Sequence, residues 1–135
     1  MLKTRILLAD RSTLKRTLLA RALRRLGFDV IAVARDGKEA VLKYARYTPD
    51  ITLIDFKLGE LKGIEVIRAL KSHNPAAVVG LMMPQNMVDP DLICEAAMAG
   101  ARTYSKNPAF GEEIKKSLYG LLEIGNLLKP VSAAG

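Results

Sequence analysis

RILLADRST, residues 5–13, decides the fold: an apolar run, Ile6 to Ala9, stops abruptly at an acid, Asp10, and a base, Arg11, follows at once. An acid at the end of such a run is half of a site. The question it poses is whether Arg11 completes that site or disables it.

Outward from this stretch the chain repeats the pattern. Five apolar runs read as strands: Ile6 to Ala9, Val30 to Ala34, Ile51 to Ile54, Val78 to Met82 and Arg102 to Ser105. The second to fourth are near-continuous rather than alternating, as parallel strands covered on both faces must be. Between them lie segments of helical period. In Ser12 to Leu26, the residues Leu14, Leu18, Ala22, Leu23 and Leu26 fall on one face, with Lys15, Arg16, Arg21, Arg24 and Arg25 largely elsewhere. Lys38 to Tyr47 follows the Asp36-Gly37 turn and groups Ala40, Val41, Tyr44 and Ala45, while Gly63 to Lys71 groups Ile64, Ile67 and Leu70. Asp89 caps a helix that opens on Pro90, runs to Ala99 and stops at Gly100. A last helix is expected from near Gly111, with Glu112 and Glu113 at its positive end.

With 135 residues, half of them hydrophobic, the chain fits one domain around one core. The expected domain spans 1–124 and leaves 125–135 as a C-terminal tail. The apolar stretch Ala76 to Pro84 is too short to cross a bilayer, and no signal sequence opens the chain, so a cytoplasmic protein with no membrane partner is expected. The single Cys94 and single His73 offer neither a disulfide nor a metal cluster. The net charge of +7 lies in residues 1–25, where Lys3, Arg5, Arg11, Lys15, Arg16, Arg21, Arg24 and Arg25 face Asp10 alone. The ordinary reading is a solvated helix face. A nucleic-acid-binding protein that uses the basic first helix is the least favoured reading, because aromatic stacking residues are absent there and no DNA-binding motif accompanies the charge.

Alternating strands and helices imply an α/β domain: a flavodoxin-like, doubly wound, five-stranded parallel sheet in the order 2-1-3-4-5, with five helices. In that order the first and third strands are neighbours, and ligands bind at their carboxyl edge, where the winding changes direction. Asp10 and Asp55, forty-five residues apart, then meet in one crevice. A flavin or nucleotide enzyme on this fold is not favoured, because Asp10-Arg11-Ser12-Thr13 is too encumbered to cradle a phosphate.

Here the chain resembles the receiver domain of two-component response regulators, of the chemotaxis-regulator kind. ILLADRS resembles the strand that ends in the family's acidic pair, and ARDGKEA the turn into the second helix. PDITLIDFKLGELKGIEVIRALK resembles the segment around the phosphoacceptor aspartate. DPDLICEAAMAGARTYSKNPAFGEEI resembles the fourth helix, the fifth strand and the start of the fifth helix. The resemblance implies that Asp55 accepts a phosphoryl group from a sensor histidine kinase or phosphotransfer protein, with no enzymatic turnover beyond that. It implies a Mg2+ ion held by Asp10, Asp55 and the backbone carbonyl of Lys57. It also implies output to a downstream protein target, since only Leu127 to Gly135 remain after the last helix.

Three departures from the family pattern stand out. Arg11 occupies the place of the second acid, which reverses the local charge by two and weakens Mg2+ binding. Either the guanidinium reaches Asp55 or Asp10 and substitutes for the ion, the reading we favour, or it turns to solvent, extends the basic surface of the first helix and leaves Asp10 and Asp55 to hold a weak Mg2+. The family's hydroxyl at the end of the fourth strand is replaced by Met82 or Met83, or by Gln85 in another alignment. Its phosphoryl-pairing lysine falls on Asn107, with Lys106 one residue early. Tyr104 matches the aromatic that moves on activation. A phosphorylation-independent pseudo-receiver is the alternative these departures raise, and the apolar Leu121, Leu122, Ile124, Leu127 and Leu128 leave room for a homodimer.

Overall fold

The computed structural model describes residues 3–83 and 89–104. In chain order the elements are β1 (Arg5–Ala9), α1 (Thr13–Arg25), β2 (Asp29–Ala34), α2 (Gly37–Tyr47), β3 (Ile51–Asp55), β4 (Lys57–Leu58), β5 (Leu61–Lys62), α3 (Gly63–His73), β6 (Val79–Met82), α4 (Pro90–Met98) and β7 (Arg102–Tyr104). The five long strands pair in parallel in the order β2-β1-β3-β6-β7, which is the expected doubly wound order. The fifth expected helix, Gln85, Lys106, Asn107 and the C-terminal tail lie outside the described residues. No helix among the described residues is long and apolar enough to cross a membrane.

Alternation along each strand divides the core between the two faces of the sheet. Leu7 and Ala9 of β1 and Ile54 of β3 join Ala40, Tyr44, Ile64, Val66, Ile67 and Leu70 from α2 and α3. Ile6 and Leu8 of β1, with Ile51 and Leu53 of β3, join Leu19, Ala20 and Leu23 of α1 on the opposite face. Every residue from Ile6 to Ala9 is fully buried, which is why the run carries no polar residue until the sheet ends.

Helix α1 presents a different face from the expected one. Leu19, Ala20 and Leu23 are buried, whereas Leu14 is 69% and Leu18 47% exposed. The helix carries two leucine stripes, and Arg16, expected among the outward basic residues, is on the sheet-facing stripe: its Nη1 donates to the Asp10 carbonyl at 2.7 Å. That charge-assisted bond and the apolar residues one turn on fix the rotation of α1. In α2, Ala40 and Tyr44 are buried as expected but Ala45 is exposed. Helix α3 continues two residues past Lys71, so His73 ends a helix, its ring edge-on to Tyr44 at 6.1 Å.

The β4–β5 hairpin was not expected. Its strands are two residues each, too short for an alternation to register, and the turn is made possible by Gly59 at φ 79°. It projects from the end of β3 and forms one wall above the carboxyl edge of the sheet.

Candidate functional site

The site is assembled where β1 and β3 end side by side. Their register pairs Ala9 with Ile54, so the next residues, Asp10 and Asp55, come together at the carboxyl edge. Asp10 is 5% exposed. Its N–H extends the ladder to the Ala34 carbonyl at 3.0 Å. One carboxylate oxygen accepts the Ser12 N–H at 2.9 Å, a local turn that ties the acid to the start of α1. The Asp10 carbonyl is taken by Arg16.

Ser12 then caps α1, its Oγ accepting the Lys15 N–H at 3.2 Å. The cap sets the first turn of α1 beside the crevice, with Lys15 exposed on it and its charge acting on Asp55.

Asp55 closes β3, half-buried beside Met82 of β6. Burial and then the neighbouring Asp10 carboxylate push its carboxyl up to about 6, against the opposing influence of Lys15, the Phe56 N–H and Lys57. Sequence reasoning identified the two carboxylates but missed Lys15. The signal was present, because Lys15 is the third helical residue after the Ser12 cap and so belongs to the turn nearest the sheet edge.

Two glycines shape the walls. Gly63 begins α3 beneath Asp55, where a Cβ would meet Leu81 Cδ1 at 2.7 Å, Phe56 Cα at 3.0 Å and the Asp55 carbonyl at 3.1 Å. Gly59, on the hairpin, lies against Arg11, with the position of a Cβ 3.9 Å from Arg11 Cδ.

Arg11 is exposed and its stem lies along the hairpin. Among the described residues the ion pairs are those of Glu39 with Arg35 and Lys43, so the guanidinium is paired with neither Asp10 nor Asp55. The favoured sequence reading, a guanidinium that reaches Asp55 or Asp10 and substitutes for the ion, is therefore not the arrangement adopted; Arg11 is turned to solvent, as in the other reading. The physical reason is the direction of the chain: Asp10 turns inward to accept the Ser12 N–H, which leaves the next side chain outside the crevice.

Lys57 opens the hairpin, opposite Lys62, with its ammonium 5.9 Å from the Phe56 ring centroid. Met82 is buried on the α1 side of the sheet and Met83 is buried beside it, so the end of β6 offers thioethers and no hydroxyl at these positions. The Tyr104 backbone pairs with Met82. Lys106 and Asn107 are outside the described residues. Asp10 and Asp55 are thus brought together, with Lys15 and Lys57 beside Asp55 and Arg11 at the rim.

This geometry can be set beside known proteins. The chain matches the family described as the response regulator receiver domain over residues 6–119. It is 27% identical over 114 residues to the chemotaxis protein CheY of Bacillus subtilis, covering 84% of this chain and 93% of that protein. It is 30% identical over 104 residues to the CheY of Thermotoga maritima, covering 77% and 85%. A two-component response regulator of the LuxR family from Aurantimonas superposes with a TM-score of 0.81 at 28% identity, over 90% of this chain and 86% of that one. Matching from the first strand past the end of β7, on a sheet whose order brings two aspartates to one edge, the chain belongs to the response regulator receiver domain family.

Proposed function

We propose that Asp55 is the phosphoacceptor of an atypical receiver, which takes a phosphoryl group from a histidine on a sensor kinase or phosphotransfer protein. The signal then passes to a downstream protein by contact, in the cytoplasm and without catalytic turnover. The observation that carries this is Asp55 half-buried at the carboxyl end of β3, next to Asp10 at the point where the winding of the sheet reverses. A carboxylate so placed is open to an incoming phosphorus on one side and backed by the sheet on the other. Attack by Asp55 on the phosphorus breaks its bond to the imidazole nitrogen, the bonding pair stays on that nitrogen while the ring's other nitrogen keeps its proton so that a neutral imidazole leaves, and the aspartyl phosphate remains.

Receiver domains typically draw on Mg2+ for this step. The residues present here do not fit it. An ion of this kind takes several oxygen ligands, with carboxylates as its charged ones. Here Arg11 replaces one acid, one oxygen of Asp10 accepts a backbone N–H, and no group of three or more acid, His or Cys side chains that could hold a metal occurs among the described residues.

Incubating the protein with acetyl phosphate and measuring intact mass tests the reading. An acid-labile phosphoryl adduct that is lost in Asp55→Asn supports it, and no adduct under any ionic condition overturns it. A second reading, a pseudo-receiver that binds its partner without phosphorylation, is favoured by Arg11 in place of an acid together with methionine at 82 and 83 in place of a hydroxyl. In that case a captured partner binds wild type and Asp55→Asn equally.

A further inference from the structure

We propose that this receiver accepts its phosphoryl group without a divalent cation, with Lys15 and Lys57 taking the place of the ion and Arg11 adding positive charge at the rim. The inference rests on the phosphoacceptor reading of Asp55 and specifies how that site handles charge.

Transfer brings an anionic phosphoryl group toward carboxylates, and it stalls unless positive charge faces the phosphoryl oxygens. Lys15 is exposed in the first turn of α1, beside the crevice, where the Ser12 cap holds its main-chain N–H and leaves the side chain free to reach the incoming group. Lys57 stands two residues beyond Asp55, at the base of the hairpin, its ammonium near the Phe56 ring. The charges of both already act on the Asp55 carboxyl. Arg11 is kept at the rim because its stem lies along Gly59. Lys15 and Lys57 balance the charges of Asp10 and Asp55, and Arg11 leaves a positive charge in excess before any ion enters. Neither lysine is engaged in an ion pair among the described residues.

With acetyl phosphate as donor the step balances without a proton. An Asp55 oxygen forms a bond to phosphorus, the phosphorus–oxygen bond to the acetyl group breaks, and the electron pair leaves on acetate. The two negative charges of the phosphoryl group remain on the protein, where the proposal has the exposed Lys15 and Lys57 turn to meet them.

The experiment follows the intact mass of the full chain over time with acetyl phosphate, in excess EDTA and in MgCl2. Labelling that is as fast in EDTA as in MgCl2, and that slows by about tenfold in EDTA in Lys15→Met, is expected. Lys57→Met should also slow it, Lys15→Arg should restore it, and Arg25→Met, at the far end of α1, should leave it unchanged. Thermal melts of each variant separate lost charge from lost fold. Label that forms only with MgCl2, or a Lys15→Met protein that folds and labels in EDTA at the wild-type rate, overturns the proposal while leaving Asp55 as phosphoacceptor. No label in either condition overturns both.

Discussion

Arg16 Nη1 donates to the main-chain carbonyl of Asp10 at 2.7 Å, so a basic residue of α1 fastens the strand end that carries one of the two crevice acids. A charged donor on a carbonyl at the edge of a buried strand is a stronger tie than a neutral bond. It also explains why α1 turns Leu19, Ala20 and Leu23 inward and leaves Leu14 and Leu18 exposed.

Replacing Arg16 with Ala removes that donor and leaves the Asp10 carbonyl to find water. The expected loss is about 1–2 kcal/mol. Chemical denaturation of the variant checks it, and Arg21→Ala, exposed on the same helix, provides the comparison with an expected change within about 0.5 kcal/mol. Equal losses in the two variants would show that the bond to Asp10 carries no special weight.

Gly63 is a second point where the crevice admits no substitution. A methyl there would press on Leu81, the Phe56 backbone and the Asp55 carbonyl, two of which are main chain and cannot swing aside. Gly63→Ala is expected to cost about 1–3 kcal/mol and to displace Asp55. Both effects are readable, the first as a lowered melting temperature and the second as slower phosphoryl labelling. Gly27→Ala makes a control: its Cβ would meet nothing within 4 Å, although its φ of 96° adds backbone strain of its own.

Much of this architecture was legible in the sequence because it rests on period and punctuation. The run Ile6 to Ala9 ends at Asp10 and the run Ile51 to Ile54 at Asp55, and once the strand order is doubly wound these two ends can only be neighbours. What was not legible depends on rotation about an axis or on single side chains. Two leucine stripes on α1 satisfy the same helical period, and the bond from Arg16 to Asp10, with the packing of Leu19, Ala20 and Leu23, chooses between them. The KLGELK hairpin is too short for alternation to announce it. Arg11 next to Asp10 suggests a contact, but one Asp10 oxygen accepts the Ser12 N–H and the Arg11 stem lies along Gly59.

Asp55 makes stability depend on pH in the sense opposite to a salt-bridged acid. Its carboxyl is raised from 3.8 to about 6 in the fold, so the fold favours the protonated form. That contribution is complete below about 3.8 and is lost as pH rises through about 6. The difference would amount to about 3 kcal/mol, and solvent reaching the half-buried carboxyl reduces it to about 1–2 kcal/mol. Asp55→Asn, which cannot ionise, should therefore be more stable than wild type by about that amount at pH 7.5 and no more stable at pH 3.5. Denaturation at the two pH values in EDTA measures it, and a gain that is the same at both would rule out ionisation of Asp55 as its cause.

Arg11→Asp restores an acid beside Asp10 and reverses the charge at the crevice mouth by two. At about 4 Å each such unit-charge interaction is worth roughly 4 kcal/mol at an effective dielectric near 20, which is ample to change an ion's affinity by orders of magnitude. Arg11 is exposed and pairs with no acid among the described residues, so its removal should cost the fold less than about 0.5 kcal/mol. A ligand that binds only the folded state at ten times its dissociation constant adds about 1.4 kcal/mol of stability. Millimolar MgCl2 should accordingly raise the melting temperature of Arg11→Asp and leave that of wild type unmoved. Choline chloride at matched ionic strength separates specific binding from screening. An unmoved melting temperature in both proteins would mean that Arg11 is not what keeps the ion out, and the reason would then have to be sought at Asp10, one oxygen of which already accepts the Ser12 N–H, whereas an equal rise in both would mean that wild type binds the ion.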